Sequence, residues 1–287
     1  MPFCSNCGNE VKVEDIFCSK CGSQLHEIEL ITEKISIDYP ESEEPSLIIR
    51  IPVSGKVEIN PGNDKLVEGT ISYDVPEWKP IITNTKEKVT IHQERRDFLY
   101  HWGTPKNDWQ LRLGKLKPYR LEIQTGVSKG DMDLGGLPLR ELKLESGVGE
   151  SNIEFRELNT IQMSRFKIQS GVGKTSVKNI LNARSREMTV GGGVGQTSLG
   201  FKGQEPNSDM KIKVDAGVGG FDINVGSGLR AIFNVTGLTG VDIRGSIKTV
   251  KRSFGRGTYI TEAYEAREGP ILDFDISIGV GGLSIRA

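Results

Sequence analysis

The chain has 287 residues with 37 basic and 38 acidic side chains, a formal net charge of −1. That balance argues against a nucleic-acid-binding domain, which is usually strongly basic, and against an electrostatic membrane footprint. Glycine is in excess, with 35 residues against an average near 7%, and no apolar run reaches the roughly 18 residues of a spanning helix.

All four cysteines lie near the start, as Cys4-Ser5-Asn6-Cys7 and Cys18-Ser19-Lys20-Cys21. Two C-x-x-C knuckles supply four thiolates, the donor set of a tetrahedral Zn²⁺ site. Gly8 and Gly22 follow the knuckles and permit the tight turn that aims backbone N–H groups at the sulfurs. Iron, a redox pair or two disulfides are the alternatives. Met1-Pro2-Phe3 offers no secretory signal, so a reducing, cytoplasmic setting is expected, and zinc with it. Four thiolates close the shell, so one structural ion is expected, replacing the core that roughly 25 residues cannot build. Val11 and Phe17 are expected beneath the metal, with His26 exposed rather than ligating.

The ribbon is expected to span residues 1–26, followed by an acidic, proline-bounded linker over 27–49. Its stretch Tyr39-Pro40-Glu41-Ser42-Glu43-Glu44-Pro45 reads as a solvated, mobile hinge. From about Leu47 to Leu113 the alternation predicts strands at Lys56 to Ile59, Val67 to Tyr73 and Lys88 to His92, as early irregular turns of a stack that fills residues 50–287.

Seven copies of a short pattern follow. Their corners start at Gly126, Gly147, Gly171, Gly193, Gly217, Gly237 and Gly279, spaced 21, 24, 22, 24, 20 and 42 residues apart. The last gap reads as two periods with one degenerate copy. A period of 20–24 residues marks a solenoid, in which each repeat buries its apolar face against its neighbours. Columns five before, three before and six after the first glycine run from Leu121 to Phe274, Ile123 to Ile276 and Met132 to Ile285. Asn234 is the only polar entry. These columns are expected to point inward. So is the column one after the glycine: Val127, Val148, Val172, Val194, Val218, Leu238 and Val280. Two short strands per copy turn at glycine corners, which take φ > 0 freely. The fold class is all-β, a β-solenoid, with Asn179 to Glu187 the one candidate helical turn. Ten or so turns would give a rod roughly 50 Å long, and the chain's last strand, Leu283-Ser284-Ile285, is expected at an edge left open to self-association or to a partner.

The run CSNCGNEVKVEDIFCSKCGSQL resembles the short zinc ribbons of many bacterial and archaeal proteins. The body resembles the toastrack family of β-solenoids, related to adhesin-like domains and to the C-terminal domains of Lia-type envelope-stress proteins. The stretches that carry the likeness are Val67-Glu68-Gly69 to Tyr73, Val75-Pro76-Glu77-Trp78 and the Leu-x-Leu-x-x-Gly-Val-Gly units. This resemblance implies a non-enzymatic sensing or scaffolding module, often tied to membrane segments and envelope-stress signalling. Here Ile271 to Ile285 is the most apolar run, and Asp273 and Asp275 interrupt it. Membrane association is therefore expected only through a partner.

Several motifs invite other readings. Ser170-Gly171-Val172-Gly173-Lys174-Thr175-Ser176 looks like the end of a phosphate loop, but the required earlier glycine is Ile168. A small polar column, Asp131, Asn152, Ser176, Ser198, Asp222, Asp242 and Ser284, reads as exposed turn chemistry ahead of a ligand-binding ladder. Arg95-Arg96 with Phe98, Tyr100 and Trp102, and Lys251-Arg252 with Phe254 and Arg256, could stack on single-stranded nucleic acid. The three histidines, His26, His92 and His101, occupy no repeat column, and no acidic pair is forced together, so no enzyme is expected. The expectation is a non-catalytic scaffold or sensor whose solenoid binds a protein or ligand and whose ribbon recruits a protein partner. The alternative is a nucleic-acid-binding regulator acting through the ribbon.

Overall fold

The structure, a computed structural model, describes residues 2–13, 15, 18–23, 25, 30–52, 55–94, 106–266 and 268–287. Seven short strands come first: β1 (Ile31–Ile37), β2 (Ser46–Ile51), β3 (Gly55–Pro61), β4 (Val67–Tyr73), β5 (Ile81–Asn84), β6 (Lys88–His92) and β7 (Asn107–Leu113). Long strands follow: β8 (Tyr119–Asp133), β9 (Leu139–Glu154), β10 (Arg165–Lys178), β11 (Glu187–Phe201), β12 (Met210–Val225) and β13 (Arg230–Arg244). A hairpin, β14 (Ile247–Ser253) and β15 (Arg256–Thr261), leads through one helical turn, α1 (Glu262–Ala266), to the last long strand, β16 (Ile271–Arg286). All sixteen strands belong to one hydrogen-bonded system. The three strands read from alternation appear as β3, β4 and β6, and Ile180–Ala183 forms a 3₁₀ turn within the stretch expected to coil.

Each long strand bends at its corner, Gly-Val-Gly in all but β8 and β13, and stacks parallel on its neighbour, so that Val148, Val172 and Val194 pair in register. The glycines are required by the closeness of that stacking. A Cβ on Gly171 would stand 2.2 Å from the Gly147 carbonyl oxygen. One on Gly173, at φ +139°, would stand 1.9 Å from the Gly149 oxygen. On either side of the corner, alternate residues fill one core: Leu142, Phe166, Met188, Ile212 and Phe274 before it, Ile153, Val177, Leu199 and Ile223 after it. Connections between the long strands add Leu137, Phe155, Met163 and Leu181 to the same core. Phe274 sits at an aromatic node, edge-on to Phe201 at 5.0 Å and stacked on Phe233 at 4.6 Å.

The column after the first glycine does the opposite of what its apolar character suggested. Val127, Val148, Val172, Val194, Val218, Val280 and Leu238 are between 47% and 64% exposed. The corner is convex, so the residue at its apex points away from the interior. The last-but-one copy is also shifted. Phe233 and Val235, not Ile232 and Asn234, pair with Phe274 and Ile276, because β13 has one residue fewer than β16 at its corner. Asn234 is exposed and its Oδ1 accepts a hydrogen bond from Thr258 Oγ1 at 3.3 Å.

The 42-residue gap holds no degenerate copy. It contains β14, β15 and α1, and the returning β16 inserts between β12 and β13, parallel to both. The final strand is therefore interior, and the expected open edge at Leu283-Ser284-Ile285 does not exist. The antiparallel β15 and β14 close that end instead, along the first half of β13. At the other end β2 and β3 together form one rung beside β8, and β6 and β7 form the next. Antiparallel β5 covers β6, and β4 followed by β1 covers β7. The parallel rungs run β6/β7, β2/β3, β8, β9, β10, β11, β12, β16, β13, a stack roughly 40 Å long.

The expected linker is part of this structure. Within 27–49 lie β1 and the start of β2, paired to β4 and β8. The acidic stretch expected to be a mobile hinge packs on the body: Tyr39 meets Tyr119 edge-on at 6.4 Å, and Glu44 pairs with Arg120 at 3.4 Å and Arg140 at 3.0 Å. A buried amide network ties the first rungs together. Gln93 Nε2 donates to the Trp78 carbonyl at 2.6 Å, Asn107 Nδ2 to Gln93 Oε1 at 2.9 Å, and Trp109 Nε1 to Asn107 Oδ1 at 3.0 Å.

Two substitutions in one corner separate the stacking constraint from glycine's general flexibility. Gly219, at φ +150°, would place a Cβ 1.9 Å from the Gly195 oxygen, whereas a Cβ on Gly220 meets only Gln196 Cγ at 3.9 Å. Gly219→Ala is expected to destabilise the body by about 2 kcal/mol or more, and Gly220→Ala by less than about 0.5 kcal/mol, measured by urea unfolding. Phe274→Ala, at the node of the inserted strand, is expected to cost about 3–5 kcal/mol in the same assay.

Candidate metal centre and exposed ridge

The two cysteine knuckles are built alike. Gly8 N–H donates to the Cys4 carbonyl at 2.9 Å and Cys4 N–H to Asn9 O at 2.8 Å; Gly22 N–H donates to Cys18 O at 2.8 Å and Cys18 N–H to Ser23 O at 2.8 Å. Both glycines are left-handed, at φ +68° and +72°, which is why glycine closes each turn. The pairing brings the four thiols together with no disulfide between them. All four Sγ atoms lie within 4.8 Å of one another, with Cys4–Cys21 and Cys7–Cys18 both at 3.6 Å. A tetrahedron of sulfurs around a zinc ion has edges of about 3.8 Å, so this donor set fits such an ion.

Polar neighbours shape the sulfurs unequally. The Ser23 hydroxyl and backbone hold Cys21 down at about 6. At Cys7 the Asn9 backbone favours the anion, but Cys21, burial, Cys18 and Cys4 together push the thiol up to about 12. Sulfurs this close resist sharing negative charge unless a cation stands among them. Val11 packs against Cys4 and Cys18 in a small core of its own, with Leu25 at its margin. Phe17 and His26 lie outside the described residues.

Elsewhere, Gly171 to Lys174 form the extended corner of β10, with Ser170 Oγ 2.7 Å from Thr175 Oγ1 inside it. A strand corner with no following helix does not cradle a phosphate. The small polar column lies on the outer side of the second half of the rungs, aligned Asp131, Asn152, Ser176, Ser198, Asp222, Ser284 and Asp242. Four of its members have neighbours of the same chain: Asn152 Nδ2 donates to Asp131 at 2.9 Å, Gln196 to Asp222 at 3.3 Å, and Arg244 to Asp242 at 2.8 Å. A groove of about 590 Å³ beside Asp131 and Asn152 also contains Asp133, Glu154 and Arg156, and these pair with one another. Of the two basic clusters, residues 95–102 lie outside the described residues. The second forms the β14–β15 hairpin, where Phe254 is 93% exposed and Lys251, Arg252 and Arg256 have no ion-pair partner among the described residues.

Sequence reasoning missed the ridge formed by the corner apices. Seven aliphatic side chains lie in one line over β8, β9, β10, β11, β12, β16 and β13. The signal was present in the constancy of the column, but apolar character alone cannot distinguish an outward apex from an inward strand position.

A family profile described as the N-terminal domain of toast_rack, DUF2154, matches residues 27–178, and one described as a zinc-ribbon domain matches residues 3–25. No curated protein matches in sequence. Similar solved structures include a candidate cell adhesion protein from Clostridium sporogenes ATCC 15579, 17% identical, covering 90% of this chain and 99% of that one at a TM-score of 0.45. Another is a candidate adhesin from Bacteroides fragilis NCTC 9343, 13% identical, covering 90% and 98% at a TM-score of 0.40. No described helix is long and apolar enough to cross a membrane. The first profile takes in β1 and β2 and more than half of the 287 residues, and on that ground the chain belongs to the toast-rack family, with a zinc-ribbon domain at its N-terminal end.

Proposed function

We propose that this protein is a non-catalytic scaffold in which the toast-rack body offers an interaction face and the ribbon recruits a protein partner. The convergence of four free thiols within 4.8 Å carries the reading. Cys4, Cys7, Cys18 and Cys21 hold one structural Zn²⁺, and four sulfur ligands leave no position at which water or substrate is activated. The bound ion supplies folding free energy to a module whose apolar core, among the described residues, is Val11 and Leu25 around the cysteines. The thiols must stay reduced to serve as ligands, which favours a cytoplasmic site of action. A role in envelope-stress signalling is the setting proposed for the scaffold, reached through a partner rather than a spanning segment.

The expected metal content is one zinc per chain, lost in Cys4→Ser. The body's thermal transition should stay nearly unchanged in that variant, because ribbon and body bury separate cores. A large shift in the transition would instead mean that the ribbon docks on the body.

A nucleic-acid-binding regulator is the second reading, favoured by the exposed Phe254 between Arg252 and Arg256, which have no ion-pair partner among the described residues. Affinity capture from native lysate, with and without nuclease, separates the two when the intact chain is compared with Cys4→Ser, Cys7→Ser. A discrete protein that survives nuclease and disappears with the cysteines supports the adaptor. Nuclease-sensitive material held only by the intact ribbon would replace it with the regulator.

A further inference from the structure

Among the described residues, the line of corner apices is the longest exposed apolar feature on the body. It spans seven adjacent rungs, from Val127 on β8 through Val194 on β11 to Leu238 on β13. At the strand spacing of about 4.8 Å it is roughly 29 Å long. Nothing in the packing of the chain requires an aliphatic there. The glycines satisfy the close stacking, and a β-branched polar residue such as threonine would suit the extended backbone equally. An exposed apolar stripe of this length marks a contact surface.

We infer that two copies of this chain meet ridge to ridge, antiparallel, about a two-fold axis at Val194, to form a homodimer. Three observations favour a second copy as the occupant. The first is symmetry: Val194 is the fourth of seven apices, so an antiparallel copy brings every rung opposite a rung with the same spacing, as an isologous contact demands.

The second is shape. Two residues beyond the ridge, the exposed Lys129, Glu150 and Lys174 stand on β8, β9 and β10, whereas Gly220, Gly282 and Gly240 stand on β12, β16 and β13. A Cβ on Gly282 or Gly240 would meet nothing within 4 Å. In the antiparallel arrangement the long side chains of each copy lie over the open glycine shelf of the other.

The third is area: each apex leaves roughly 80 Å² to water, so two fully covered ridges bury at most about 1,100 Å², which clears the roughly 1,000 Å² a specific interface needs and sits at the weak, reversible end. The mixed charge of the flank, Lys–Glu–Lys, suits neither an anionic lipid surface nor a polyanion, and a net charge of −1 leaves two copies little mutual repulsion.

The test is sedimentation velocity on the full metal-loaded chain across a concentration series, with Val194→Lys and Val194→Glu. Val194 is 53% exposed, so both variants should retain the parent's thermal transition. The intact chain should dimerise with rising concentration. Either variant alone sets like charges face to face and should weaken self-association more than about tenfold, and an equal mixture of the two should recover the dimer. Phe254→Ser at the hairpin tip should leave it unchanged. Cys4→Ser, Cys7→Ser should dimerise like the intact chain, which separates this result from anything the ribbon captures. A chain that stays monomeric throughout, a dimer indifferent to both Val194 variants, or a failure of the mixture to restore it would each overturn the proposal.

Discussion

At every corner of the stack a backbone carbonyl occupies the place where a side chain would begin. The contact recurs as Ser128 O against Gly149, Gly149 O against Gly173, Gly173 O against Gly195 and Gly195 O against Gly219, each 1.9 Å from an added Cβ. One geometric constraint thus fixes glycine in the sequence, the parallel register of the strands and the sharpness of the bend. In-register stacking then sets each side chain above its equivalent one rung away. The inward columns become continuous apolar ladders, and burial of those ladders is the main stabilising term.

The same regularity creates a problem at the ends, where an unfinished rung exposes hydrogen-bonding edges. The chain meets it with antiparallel strands, which cannot continue the parallel stack and which on β13 cover Ile232 to Thr236. β5, β4 and β1 stand at one end and β15 and β14 at the other. At the first end, the satisfied Gln93–Asn107–Trp109 network sits where a purely apolar rung would otherwise be, and fully paired buried amides fix a single arrangement. At the second, Thr261 Oγ1 accepts from Ala231 N–H at 3.0 Å and donates to Leu229 O at 2.8 Å. These bonds hold the end of β15 against the start of β13. Placing β16 between β12 and β13 makes that strand part of the core rather than a loose edge.

The ribbon follows a different physics. Among its described residues the buried cluster is Cys4, Val11 and Cys18 with Leu25 beside it, and two copies of one turn position four sulfurs around that cluster. A body held by apolar ladders and a ribbon built around four converged thiols respond to different perturbations.

The sequence by itself determined the repeating architecture. Gly-x-Gly spacing and period-two alternation are local properties, so the all-β solenoid, the three short strands and the grouping of Cys4, Cys7, Cys18 and Cys21 were legible without coordinates. What depended on long-range packing was not. The outward turn of Val172 and its equivalents follows from the convexity of a corner, which no periodicity encodes. The insertion of β16 between β12 and β13 reverses spatial order relative to chain order, and identical repeats give no sequence signal of which neighbour each will take. The acidic stretch at Glu44 looked solvated because its partners, Arg120 and Arg140, are far away in sequence. Only the tertiary structure brought those charges together, and only it showed that the most constant apolar column of the repeat faces water.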